Sequence, residues 1–252
     1  MELIQKALEN AKVKELFESI NKITPLSFEP SPDSSWSITT ENGLTKIQFA
    51  QISDPAAALA HELLHAKIKI NGYKSYLTAL TMDGLDSTLI AILEALDNEL
   101  QHHKFFPLFE DLGLSASHFY EDDDVHSYVK TRQRLNSLPS SRHAGHLLLL
   151  FLTVIAPGGA GDNEERISLR NDLAGSCSDS EWEMLIKIEK EIQDWKMSNT
   201  LDAGPTVVRI LEDLNVFNKT WVGTSQNFPT AGLFVGQSFT LDEFIKFRNT
   251  RT

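Results

Sequence analysis

The chain has 252 residues, 41% of them hydrophobic and 23% charged: long enough to bury a core, and not polar enough to remain disordered. Acidic residues outnumber basic ones by 35 to 23, a formal charge of -12, and no basic cluster is dense enough to follow a phosphate backbone, so nucleic acid is excluded as a direct partner. The lone cysteine, Cys177, excludes an internal disulfide.

In chain order, residues 1 to 22 predict an amphipathic helix with Leu3, Ala7, Val13, Leu16, Phe17 and Ile20 on its apolar stripe. Its mixture of charges departs from the uninterrupted apolar core of a signal peptide, so it reads as part of the mature fold. After "SPDSS", Trp36 and Ile38 alternate with polar neighbours, as do Ile47 and Phe49, and Asn42-Gly43 lies between them. This predicts a hairpin, because Asn-Gly takes the positive φ values of a tight turn. Asp54-Pro55 then supplies a cap and first-turn pair for a helix ending near Asn71-Gly72.

A second helix is expected from Asp86 to about Lys104. "EDDD" at 121–124 reads as a solvated acidic loop, and "APGGAGDNEE" at 156–165 as a loop without the lysine of a phosphate-binding loop. The apolar run "LLLLFLTVIA" at 147–156 is about half a bilayer span and fits a buried helix, so no membrane partner is expected. The last third reads as mostly helical. Trp182, Leu185, Ile188, Ile192 and Trp195 share a face, "TVVRILEDLNVF" forms a further helix, and Thr240 with Glu243 makes a capping box. The simplest organisation is one domain over residues 1–252, with a core of about 1–135 and a helical half of about 136–252.

The chemistry concentrates in "HELLH". His61 and His65 are four apart, so a helix projects both from one side, one turn above the other, where two imidazoles can grip one ion. Glu62 is turned roughly 100° from His61, beside the pair, and can act on a metal-activated water without being a ligand. The competing reading is a core helix whose two histidines are internally bonded. Small residues before His61 (Ala57, Ala58 and Ala60), apolar flanks and a preceding strand, read as an edge strand, favour the metal site.

The segment matches H-E-x-x-H in full and resembles the zincin metallopeptidases over about forty residues at most. The resemblance implies an α+β, mostly helical fold. Its zincin-like core would be a small antiparallel sheet, the HExxH helix and a second ligand helix, joined to a helical C-terminal half. It also implies catalytic Zn2+, and a strand before the motif, here Ile47 to Phe49, lying along a peptide substrate. Catalytic zinc takes three protein ligands and keeps an open position. In the glutamate class of zincins the third comes from a downstream helix, and "LIAILEALDNELQHHKFF" at 89–106 lies at a suitable distance.

That helix offers Glu94, Glu99, His102 and His103. A leucine stripe (Leu89, Leu93, Leu96, Leu100) should enter the core, while Ala91, Ala95, Asn98 and His102 form a second face that can meet the "HELLH" helix. Glu99 lies between the stripes, and Asn98-Glu99 looks like the Asn-Glu of thermolysin-like enzymes. Their aspartate four residues further on is replaced here by His103. Glu99 and His102 therefore stand as equal candidates for third ligand, with Asn98 as outer partner if it is His102. Glu94 points away from both stripes and His103 borders the leucine face. His118, Tyr120, His126 and Tyr128 are candidates for oxyanion stabilisation. His143 and His146, in "RHAGH", lack an adjoining acid and read as preceding a helix capped by Ser140 or Ser141.

The expected function is a zinc-dependent hydrolase, a metallopeptidase with a peptide or protein substrate, and the absence of a signal peptide places it in the cytoplasm. In its order of strand, "HELLH" helix and acidic second helix the chain is similar to the ImmA/IrrE-like proteins, which implies repressor cleavage. Their glutamate-alanine-asparagine signature is not present as such. The alternatives are a non-catalytic binding or regulatory protein on a zincin-like scaffold and a helical interaction module. The sequence fixes no oligomeric state.

Overall fold

The computed structural model describes residues 2–33, 35–41, 44–82, 87–120, 126–139, 142–159, 161–215, 217–224 and 231–250. About 60% is helical, with two small three-stranded sheets: an α+β protein. By its internal contacts it divides into two compact units, residues 1–72, 101–136 and 153–170 in the first, and 73–100, 137–152 and 171–252 in the second.

The first unit opens with α1 (Glu2–Ala7) and α2 (Ala11–Asn21). The expected single helix is interrupted at Asn10, whose side chain accepts the Lys12 and Val13 N–H groups and caps a new helix. Of the expected stripe Ala7, Val13, Leu16 and Ile20 are buried, Leu3 and Phe17 are half-buried, and Ile4 is buried in the first turn instead of Leu3. Strands β1 (Leu26–Pro30), β2 (Ser37–Glu41) and β3 (Leu44–Phe49) follow in the spatial order β1-β3-β2. β2 and β3 pair antiparallel with Glu41 opposite Leu44, as the hairpin reading requires; the Asn42-Gly43 turn lies outside the described residues.

Two expectations are corrected here. The sheet is mixed, because β1, which sequence pattern missed, pairs parallel with β3 from Leu26↔Thr45 to Pro30↔Phe49. The Ile47–Phe49 strand is consequently central and not an edge: β1 and β2 occupy both its hydrogen-bonding sides, so no substrate can lie along it. Helix α3 (Pro55–Ile70) packs against α1, α2 and β2, with Asp54 accepting the Ala56 and Ala57 N–H groups as its cap. Of residues 55–66 all but Ala56 and His61 are buried, so the "HELLH" turn sits inside the unit.

Helix α4 runs from Ser87 to Asp111, seven residues past the expected end and through Pro107. Asp86 and the acidic 121–124 stretch lie outside the described residues. After a 3-10 turn (Ala116–His118) come α5 (Tyr128–Asn136), α6 (Ala144–Ile155) and α7 (Asn163–Ser176). The apolar run of α6 is buried at Leu147, Leu148, Leu150, Phe151, Leu152 and Val154. Among the described residues no helix is long and apolar enough to cross a membrane.

The second unit contains α8 (Asp179–Met197), which buries Leu185, Ile188, Ile192 and Trp195, and α9 (Gly204–Leu214). The Trp195 indole donates to the Leu100 carbonyl at 2.9 Å. The half expected to be helical, about 136–252, also holds strands β5 (Thr220–Gly223) and β6 (Leu233–Val235), which join β4 (Thr78–Thr81) from the first half of the chain. They form an antiparallel sheet, each too short for alternation to show in sequence. The expected capping box of α10 (Leu241–Thr250) is present, Thr240 and Glu243 exchanging bonds.

Candidate metal centre

Three histidines converge in the first unit. His61 and His65 project from adjacent turns of α3, and His102 from α4. One ring nitrogen of each lies within 4.8 Å of the others. The Nε2 atoms of His61 and His65 are 3.1 Å apart, and those of His65 and His102 3.2 Å. Ligands about 2.0–2.1 Å from a tetrahedral zinc stand roughly 3.3 Å from one another. Two of the three separations match that value, and the third pair, His61 and His102, lies within 4.8 Å.

The opposite ring nitrogens each face an oxygen. His61 Nδ1 lies 2.9 Å from the Phe119 carbonyl, which can only accept, so His61 carries a proton on Nδ1, and in the neutral ring the lone pair is then on Nε2. His65 Nδ1 meets Gln101 Oε1 at 3.1 Å and His102 Nδ1 meets the Tyr120 hydroxyl at 2.6 Å. Burial, with the neighbouring His61 and His102, holds the pKa of His65 well below the ordinary histidine value and keeps that ring neutral. The 3.1 Å between the Nε2 atoms of His61 and His65 admits a shared proton in the metal-free protein or a shared cation when metal is bound. A ligand histidine with its second nitrogen bonded to a fixed oxygen has this arrangement.

The walls are aromatic. The Phe105 ring stands edge-on to His61, His65 and His102 at centroid distances of 5.7, 4.8 and 5.5 Å, and Phe119 packs against His61 and His102. His65 and His102 are buried and His61 is half-buried. Among the described residues the group comprises these three side chains.

Of the candidates for third ligand, His102 joins the pair; Glu99, also buried, is not in the group, and Glu94 is exposed. His103 is buried next to His102 and is not in the group. The outer partner of His102 is Tyr120, a correction to the expectation of Asn98. Glu62 is buried on α3 beside the motif histidines.

The four oxyanion candidates have other contacts. Tyr120 bonds His102, and His126 stacks on the Tyr120 ring at 3.9 Å and 8°. His118 pairs with Asp54 at 2.8 Å, and Tyr128 accepts a bond from Arg132, whose guanidinium lies over its ring. Sequence reasoning missed Gln101, Phe105 and Phe119. Gln101 adjoins a candidate ligand and was discoverable, whereas Phe119 acts through a backbone carbonyl that no side-chain pattern reveals.

No protein-family model matches this chain, and neither a curated protein nor a solved structure matches it significantly.

Proposed function

We propose that the protein is a zinc-dependent hydrolase of the zincin type, a metallopeptidase in which His61, His65 and His102 hold the metal and Glu62 is the general base. The observation that carries this is the convergence of the Nε2 atoms of His61, His65 and His102, each ring backed by a bonded Nδ1, with a buried glutamate next to His61 on α3. Three neutral nitrogen donors suit zinc and leave its charge uncompensated by the ligands. When bound, zinc supplies Lewis acidity, bringing the pKa of a coordinated water to about 7 and polarising the substrate carbonyl.

The chain's own residues do the rest. Glu62 takes the proton of the attacking water and can return it to the leaving amine. The aromatic walls of Phe105 and Phe119 exclude bulk water and strengthen the electrostatics of the site. A peptide lying beside α3 meets β2, the edge strand that packs against that helix, in place of the central β3.

Glu62→Gln tests the reading. It keeps the side chain's size and removes its basicity, so peptide hydrolysis is expected to fall by about 10²–10⁴-fold with metal content unchanged. Full activity in that variant would contradict the assigned base.

A further inference from the structure

The five residues from Ala116 to Tyr120 contribute no ligand, yet they reach the centre at three places. His118 Nδ1 bonds Asp54 Oδ2 at 2.8 Å, while the other oxygen of Asp54 caps α3, the helix that carries His61 and His65. The Phe119 carbonyl accepts from His61 Nδ1, and the Tyr120 hydroxyl bonds His102 Nδ1 at 2.6 Å, the shortest of the three outer contacts.

The segment is held from behind by two glycines. At Gly158, with φ at +72°, an added Cβ would lie 2.7 Å from the Phe106 ring, 2.8 Å from the Ala116 carbonyl oxygen and 3.0 Å from the Phe119 Cβ. A Cβ on Gly159 would press on the Tyr120 ring at 3.2 Å. At Gly158 the positive φ and the close backbone oxygen of Ala116 exclude a side chain, and at Gly159 a Cβ would require the Tyr120 ring to give by a few tenths of an ångström.

We infer that the Ala116–Tyr120 turn is the latch that assembles the metal centre, and that Tyr120 is a positioning residue that fixes the tautomer and orientation of His102. The inference rests on the reading of the three histidines as metal ligands. His102 can present its lone pair from Nε2 only while Nδ1 keeps its proton. The Tyr120 oxygen is the acceptor that holds it there. His126, stacked on the Tyr120 ring, holds the phenol in place.

Tyr120→Phe separates this role from packing, since phenylalanine keeps the ring and its stack and removes the acceptor. The test titrates cobalt(II) into the metal-free protein against a competing chelator and follows the visible absorption bands of the bound ion. Tyr120→Phe is expected to weaken cobalt binding on the order of 10–100-fold and to shift the bands, while the circular dichroism of the metal-free protein is unchanged. His102→Ala, in parallel, should abolish the bands.

Wild-type affinity and spectrum in Tyr120→Phe, with His102→Ala still inactive in binding, would overturn the latch and leave the metal reading intact. Wild-type binding in His102→Ala would instead overturn the ligand assignment on which the latch depends. Should Tyr120→Phe fail to fold, nitrogen-15 spectra of the histidine side chains in the zinc-loaded wild-type chain decide the matter: His102 protonated at Nδ1 is expected, and protonated at Nε2 overturns the inference.

Discussion

The chain contains two close pairs of histidines, and they come to different ends. His61 and His65 lie on a largely buried turn of α3, are joined by His102, and have each outer nitrogen bonded to an oxygen. His143 and His146 lie at the start of α6, both exposed, with ring centroids 6.1 Å apart, and His143 Nδ1 accepts the Gly145 N–H. That bond occupies a lone pair that a metal would need and caps the helix. Ser140 and Ser141, the caps expected there, lie outside the described residues. Spacing alone brings imidazoles near each other. A metal centre also needs an acceptor behind each ring and a third donor from another element.

The contrast breaks most sharply on ligand removal. His61→Ala should cost more zinc affinity than the roughly 10–100-fold lost with an outer partner, whereas His143→Ala should leave affinity and stoichiometry at wild-type values. Isothermal titration of the metal-free variants measures both, and equal losses would erase the distinction drawn between the pairs.

A smaller effect is expected at the start of α3. Asp54→Ala removes the cap of the ligand helix and its tie to His118, and should lower stability by about 1 kcal/mol in denaturant unfolding of the metal-free protein. Asp54→Asn keeps the cap and should lose less.

The smallest effect is in acid. Partial burial pushes the Asp54 carboxyl up, but the Ala57 N–H, His118 and the Ala56 N–H together hold it below the ordinary aspartate value of 3.8. A carboxyl with a depressed pKa in the folded chain contributes stability that is complete above its unfolded value. That contribution is lost as pH falls through the folded one. The acid limb of the stability profile should therefore be shallower in Asp54→Asn than in the wild type below about pH 4, and an unchanged limb would show that Asp54 is not held in this way.

Much of the candidate centre was legible in the sequence because its signals are local. The cap at Asp54, the helix through residue 70 and the shared side of His61 and His65 follow from three- and four-residue spacings. His102 could be narrowed to one of two because a helix face repeats predictably. What was hidden depends on contacts between distant segments. β1 completes the first sheet by parallel pairing and has no hairpin signal of its own, which is why β3 read as an edge. The short strands β4, β5 and β6 find one another from residues 78 to 235. Tyr120 was visible as a candidate but its role was not, since an oxyanion donor and a histidine's outer partner are the same residue type at the same place in the chain.

The most direct test is X-ray absorption at the zinc edge on the wild-type chain loaded with one equivalent of zinc. The expected spectrum shows four light-atom neighbours at about 2.0–2.1 Å with the outer-shell scattering of three imidazoles. Failure to retain the zinc, or a first shell of oxygens without imidazole scattering, would contradict the account.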